Sequence, residues 1–394
     1  MSHGARMRWS LLSLSLLAAF VACEDVREAS DVSADGDDVQ DAADAAETAA
    51  PEVGADVVAT ETDPPDPTRI EVGPRACCLS MDGDLMVWSD DGDLFGWRAG
   101  STVREPLVVG TGIQKDPIIA DGVLVWADNR SGDFDLWTMR LTPTRGEPVL
   151  LRAGPGDQDQ PVLDGTRLVW IGRDAAPHSP REAEVFTMDL AAPGSERQFT
   201  SDAYEQTHPD VSGGRIVWAD FAHSPDAMYI DVSDPLRNNA DIFGWDLDTD
   251  AQFVVTEDPS KQLRPAIDGE TVVWLDWRGI NPEPKYSEFQ VFVRRLSETG
   301  ALAERRLAWS SWSRPELWRR PAITDGVVVF IAEPTSPGTG FVTGLLAVDI
   351  DGGSPWLVTG SHSVLDSVAV HGDEAAFVGA GAIGRVGIRA HAGR

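Results

Sequence analysis

The stretch VLVWADNRSGDFDLWTMRL, residues 123–141, decides the fold. Valine, leucine and tryptophan fill one short run and leucine, tryptophan and methionine the other, with polar residues and glycine between them. This is the pattern of two β-strands joined by a turn. Related pairs recur along the chain. The first strand ends as LMVW at Trp88, VLVW at Trp126, RLVW at Trp170, RIVW at Trp218, TVVW at Trp274, VVVF at Phe330 and EAAF at Phe377. The second begins as DLFGWRA at Asp93, DLWTMRL at Asp135, EVFTMDL at Glu184, DIFGWDL at Asp241, QVFVRRL at Gln290, GLLAVDI at Gly344 and GRVGIRA at Gly384.

Two further elements frame each pair. DPIIADG, QPVLDG, HPDVSGG, RPAIDG, RPAITDG and the looser SVAVHGD come before. Their proline is expected to open a strand, where a missing N–H costs least, and their Asp-Gly or Gly-Gly to turn tightly into the next. GEPVLLR, ERQFTS, AQFVVTE, RRLAWS and SPWLVTG follow as variable fourth strands. Four antiparallel strands repeated seven times predict an all-β, seven-bladed β-propeller. A lone sheet of this kind cannot bury both faces, whereas a ring of seven can. The recurrent Trp, Val and Leu are then core between blades. The last copy has no fourth strand, and TRIEV (68–72) precedes the first copy. That N-terminal strand is expected to complete the seventh blade and close the ring.

The unit P-x-x-x-D-G, V-W-x-D-x-R-x-G, D-x-W/F resembles the TolB-like or WD40-like propeller repeats of bacterial envelope proteins. The resemblance covers roughly residues 68–391 and is specific for architecture, much less so for activity. TolB also carries a separate N-terminal α/β domain, which is not evident in this chain, so its partners do not transfer. The resemblance implies a periplasmic or surface scaffold that binds proteins or other envelope components.

The N-terminal residues 1–23 have a different character. Arg6 and Arg8 precede the apolar run WSLLSLSLLAAFVA, Trp9 to Ala22, and Cys23 follows. The run is short for a membrane span of about 20 residues and fits a secretory signal. Phe20-Val21-Ala22-Cys23 resembles a bacterial lipobox, with Phe20 where leucine is usual. This implies lipidation of Cys23 and an anchor in the envelope, by preference the outer membrane. Residues 24–67 are expected to be a disordered tether. Between Glu24 and Asp66 lie fifteen acids, one base (Arg27) and no aromatic residue, too little apolar surface to offset ordering entropy. Residues 68–394 form the propeller.

The formal charge is −32, of which the signal contributes +2 and the tether −14, leaving −20 on the propeller. So acidic a domain is a poor nucleic-acid binder. Once Cys23 is set aside, Cys77 and Cys78 remain, adjacent and without zinc-ligand spacing. They read as strand positions. No cofactor motif is present, and the chain is expected to be monomeric.

The links between second and third strands point to a site. Counted from the terminal aromatic, they hold 4, 8, 13, 22, 15, 13 and 6 residues in blade order. Links that outgrow the tight minimum usually carry function. All three tyrosines, Tyr204, Tyr229 and Tyr286, fall on this side, with Trp277, Trp312 and Trp318 and the arginines Arg278, Arg314, Arg319 and Arg320. Rings beside charges suit peptides or sugars, and equally suit plugs between long loops. Asp128/Arg130 and Asp276/Arg278 read as structural pairs tying a loop to a neighbouring blade. Asp133/Asp135 and Asp246/Asp248/Asp250 lack the spacing of a calcium loop.

Three readings follow. The first is a non-catalytic module presenting this face to an envelope protein or polysaccharide, with Tyr204, Asp220, Tyr229, Asp276, Trp277, Arg278, Tyr286, Trp312, Arg314 and Trp318 as candidate ligand contacts. The second is a glycan hydrolase or lyase using Asp220, Asp226, Asp231 or Asp276, although no nucleophile motif is present. The third is a stable spacer.

Overall fold

The computed structural model describes residues 68–173, 183–192, 194–202, 204–222, 240–278, 289–298, 303–310, 319–332, 343–361, 365–379 and 381–388. The signal and the acidic segment lie outside the described residues. So do Tyr229, Tyr286, Trp312, Arg314 and Trp318.

The described residues form seven four-stranded antiparallel sheets and no helix. Each sheet is one blade of a propeller. Blade 2 shows the unit: Gln114–Ala120, Val123–Asp128, Asp135–Arg140 and Val149–Arg152, paired in that order. The first strand of every blade touches the first strands of its two neighbours, so these seven strands surround the axis. Besides Gln114–Ala120 they are Cys77–Asp82, Gln158–Asp164, Gln206–Ser212, Gln262–Asp268, Ala322–Thr324 and Leu365–His371.

The ring closes as the sequence indicates. Arg69–Glu71 pairs antiparallel with Ala382–Gly387, with Ile70 opposite Ile383, and supplies the outer strand of blade 7. Val72 N donates to Gly381 O at 2.8 Å and Arg385 N to Thr68 O at 3.0 Å. The two ends of the fold therefore share one sheet.

Between blades lies a continuous apolar filling. Trp88, Trp126, Trp170, Trp218 and Trp274 end the second strands of blades 1 to 5 and are wholly buried, as is Phe330 in blade 6. Trp88 shares a cluster with Ala376, Val378 and Ile383 of blade 7, which carries the core across the closure.

The strand beginnings differ from the sequence reading in one respect. Proline does not open the first strand in blades 2 to 5. Strands there start three residues earlier, at Gln114, Gln158, Gln206 and Gln262, and proline sits inside. The reason is a β-bulge just before it, as between Lys115 and Ile118 or between Thr207 and Asp210. The bulge releases the proline nitrogen from the ladder. The residue preceding each proline turns left-handed: Asp116 (φ 51°), Gln160 (51°), His208 (53°) and Arg264 (56°), matched by Cys78 (58°) in blade 1.

The two faces of the ring are built differently. On one, every first-to-second turn has two residues: 83–84, 121–122, 165–166, 213–214, 269–270, 325–326 and 372–373. These turns latch to one another around the ring. Asp82 accepts from Gly122 N at 2.8 Å, Asp164 from Gly213 N at 2.8 Å, Ser212 Oγ from Gly269 N at 3.0 Å, and Asp268 from Asp325 N at 3.0 Å. On the other face, second-to-third links span 91–92, 129–134, 173–183, 221–240, 277–288, 333–342 and 380–381. The long links belong to consecutive blades, three to six.

Removing residues 68–72 strips the outer strand from blade 7 and bares its edge. Losing its ladder bonds and the Ile70 contact is expected to lower the unfolding free energy by on the order of 3 kcal/mol. Urea unfolding of the full chain against the deletion reads this directly, and an unchanged midpoint rules out closure by this strand.

Candidate functional site

The long-link face is organised by a buried polar layer at the strand ends. The first residue of an inner strand pairs with the last of the second strand: Gln114 with Asp128, Gln158 with Gly172, Gln206 with Asp220 and Gln262 with Asp276. Beneath each pair lies a core indole whose N–H requires an acceptor. Trp126 Nε1 donates to Asp128 at 3.2 Å, Trp218 to Asp220 at 3.1 Å and Trp274 to Asp276 at 2.8 Å. Blade 3 has Gly172 where the others have aspartate. There Trp170 Nε1 turns to Gln158 Oε1 at 2.9 Å. A side chain at Gly172 has no room, because a Cβ would lie 2.7 Å from the Phe186 ring and 2.8 Å from Gln158 Oε1.

Asp220 and Asp276, proposed above as ligand contacts or catalytic carboxylates, belong to this layer. Asp220 is 4% exposed and also accepts from Ala222 N at 2.9 Å. Burial pushes its carboxyl above the usual range, opposed by the Ala222 and Trp218 bonds. Asp276 is fully buried and takes Arg278 Nε at 3.0 Å and Nη2 at 2.8 Å. Burial again pushes it up, against Arg278. Arg278 also reaches Thr256 Oγ1 in blade 4 at 3.0 Å and Glu304 in blade 5 at 2.8 Å, and its guanidinium stacks on Phe292. It ties two blades together. Arg130 does similar work within blade 2, holding Asp128 and stacking on Trp137. Asp226 and Asp231 lie outside the described residues.

Trp277 is 5% exposed rather than presented to solvent. Its ring meets Phe289, and the Lys261 ammonium sits 5.9 Å from its centroid. It extends the blade core, and only its position after Asp276 made it look free. Tyr204 is exposed, on the link into blade 4. Asp133 accepts from Gly156 N in the link to blade 3, Asp246 caps a turn by accepting from Asp248 and Thr249 N, and Asp250 pairs with Arg197 at 2.5 Å.

Inside this face, at the axis, is a second group that the sequence reading did not bring together, although it named Cys78 and Arg320 separately. It consists of the bulge residues Cys78, Asp116, Gln160, His208 and Arg264, with Arg320 and Asp366 at the corresponding places in blades 6 and 7. All stand on or beside the innermost strands around the axis, and Arg320 and Arg319 cross between blades to Asp210 and Asp366. His208 in blade 4 is shifted by Arg320 in blade 6, the Cys78 thiol in blade 1 by Arg319 in blade 6, and Asp366 in blade 7 by Arg264 in blade 5. The ring is polarised. Blades 4 to 6 contribute His208, Arg264, Arg319 and Arg320, whereas Asp366 and Asp116 stand on either side of Cys78.

Adjoining it is a buried ion-pair chain. Lys115 Nζ lies 3.0 Å from Asp159 and 3.8 Å from Asp116, and Arg173 lies 3.2 Å from Asp159 and 3.3 Å from Glu205. Burial opposes ionisation of Asp159, yet Lys115 and Arg173 together hold its carboxyl below the usual value. Asp116 goes the other way: burial lifts it and Lys115 compensates only in part. The signal available in the sequence was the recurrent Gln three residues before proline, in QKDP, QDQP, QTHP and QLRP.

No known family profile matches the chain, and no characterised protein sequence matches it. Solved structures do. Tricorn protease aligns with a TM-score of 0.58 at 15% identity, over 84% of this chain and 35% of its own. A puromycin-hydrolyzing peptidase of Mycobacterium tuberculosis aligns with 0.56 at 15%, over 80% and 51%. A putative TolB of Agrobacterium tumefaciens aligns with 0.45 at 14%, over 63% and 85%. The chain thus spans about a third of the first and half of the second. At these identities the likeness is one of fold, the β-propeller.

Lys115→Met leaves Asp116 and Asp159 facing each other in a buried site and is expected to cost about 3 kcal/mol. Asp159 has a depressed folded pKa, so its contribution is present above the ordinary carboxylate value and is lost as pH falls through the folded one. Without Lys115 that folded value rises, and the acid-unfolding midpoint should move to higher pH. Circular dichroism across pH 2–6 reads both effects, and an unmoved midpoint refutes the pairing.

Proposed function

We propose that this protein is a lipid-anchored binding module of the bacterial envelope, whose long-link face engages a protein or glycan partner without catalysis. The observation that carries the binding reading is the asymmetry of the ring. On one face the seven first-to-second turns have two residues each, four of them latched to a neighbour by the pairs described above, and the third-to-fourth links of blades 1 to 6 have four to eight, while the other face sets links of 2 to 20 residues around a polarised axial group. Uniform turns serve closure. Links that vary at equivalent positions are free of that demand and available for recognition. Asp220 and Asp276 are engaged by indole and backbone N–H groups, which supports binding over hydrolysis at those two positions. The anchor rests on the signal-like residues 1–23 and on Cys23.

Two experiments test this reading. The full chain and a Tyr286→Ala, Trp312→Ala, Trp318→Ala variant are immobilised and exposed to solubilised envelope and to cell-wall polysaccharide. Melting curves check folding. Retention by the native chain and at least tenfold loss in the folded variant is expected, since each anchoring aromatic contributes about 1–2 kcal/mol. Equal retention by both removes the loop aromatics from the site. Separately, labelled fatty acid should enter the native chain and not Cys23→Ser, and equal labelling of the two rules out this anchor.

A further inference from the structure

Six of the seven innermost strands carry a bulge, but the fold does not dictate the side chain placed at that position. Seven equivalent positions carry Cys, Asp, Gln, His, Arg, Arg and Asp. Left-handed backbone is costly for a residue with a Cβ, and such positions gather at functional sites. Bulges also re-aim side chains. Three consecutive blades place His208, Arg264 and Arg320 here, in one sector of the ring, with Arg320 reaching Asp210 of blade 4 and Pro265 of blade 5.

The local accounting in that sector is specific. Arg320 Nε donates to Pro265 O at 2.9 Å and its Nη2 lies 2.7 Å from Asp210, which orients the guanidinium. Arg319 lies 2.6 Å from Asp366, and Arg264 also acts on Asp366. His208 N donates to Gln160 Oε1 at 2.8 Å, which fixes the backbone. Its Nδ1 is buried and meets no hydrogen-bond partner among the described residues. The groups around the imidazole are Gln160 from blade 3, Asp210 on its own strand, Arg264 and Lys261 from blade 5, and Arg320 from blade 6. Burial and then these three cations keep it uncharged. A buried nitrogen without a partner is costly, and the missing complement to a ring nitrogen among cations is an anionic oxygen.

We propose that this sector of the ring is a binding site for a carboxylate group, held by His208, Arg264 and Arg320. It deepens the reading of the long-link face as a binding surface, because these residues stand at the inner-strand ends that border that face. The carboxylate takes a proton-bearing His208 nitrogen and shares charge with the two guanidiniums. Its source is an acidic peptide or a uronate sugar, which present the same group on different frames. Entry of the anion favours the imidazolium, so binding is proton-linked. Affinity rises as pH falls through the bound value of His208, by up to about tenfold per pH unit until the lower free value is reached, and the titration is kept above about pH 5, where carboxylates of the probe remain ionised.

The full chain is titrated by calorimetry with pentaglutamate and with trigalacturonate, and with pentaglutamine and trigalactose as uncharged counterparts. Binding of at least one acidic probe is expected, with the counterpart at least about tenfold weaker, as for loss of a charge-assisted bond. His208→Asn and Arg320→Gln, each checked for folding by its melting curve, should lose about tenfold and flatten the pH dependence. Preference for the peptide or for the sugar names the source. Absence of binding by both acidic probes at millimolar concentration overturns the site, as does equal binding of the uncharged counterparts. Should both variants fold poorly, the native chain alone decides, because pH-independent binding of the acidic probes contradicts the role of His208. Envelope capture by a chain that ignores both acidic probes sinks this inference alone, and acidic-probe binding without envelope capture sinks only the broader reading.

Discussion

An indole N–H buried without an acceptor is costly, and in blades 2 to 5 much of this face follows from that requirement. The tryptophan closing the second strand of blades 1 to 5 fills the gap between blades, where blades 6 and 7 have phenylalanine, and no other side chain in the unit is as large. Its nitrogen lies at the level where the second strand ends, so the acceptor must come from the strand end or from the strand beside it. Asp128, Asp220 and Asp276 meet the need from the strand end, and Gln158 meets it from the inner strand where Gly172 removes the aspartate. Blade 1 is the exception: Asp90 instead holds Gly73 N and Arg104, and the Trp88 indole N–H meets no acceptor among the described residues. The carboxylates nearest the long-link face are therefore committed to the core before any ligand arrives.

That commitment separates two layers of chemistry. Around the ring, the aromatics packed between blades and the four latched turns of the opposite face tie blades to their neighbours. At the axis, the bulge residues are released from the ladder and carry charges that differ from blade to blade. Asp159, Lys115 and Arg173 join the layers, since the chain of ion pairs runs from the axis to the strand ends of blades 2 and 3. A variable face can stand on a closed scaffold because the two use different residues of the same strands.

Architecture was legible in the sequence because it is periodic. Seven aromatic-ended strands and six turn signals leave few alternatives, and the pairing of Ile70 with Ile383 follows from a last copy one strand short. The axial group was not legible. His208 and Arg264 stand just before the proline that looked like a strand opening, so they read as loop residues; only the left-handed bulge turns them inward. Trp277 was misleading for a related reason. It follows the periodic strand end by three residues, yet the chain folds back and seats its ring on Phe289. Local pattern places a residue on a strand, while its contacts depend on a partner strand distant in sequence.

We propose that recognition belongs to the long-link face and its axial residues, and closure to the opposite face. Amide hydrogen exchange on the full chain, with and without bound envelope material, separates the two. New protection is expected at residues 114–116, 158–160, 206–208 and 262–264 and in the links between second and third strands, with the turns at 121–122, 165–166 and 213–214 unchanged. Protection confined to those turns would contradict it.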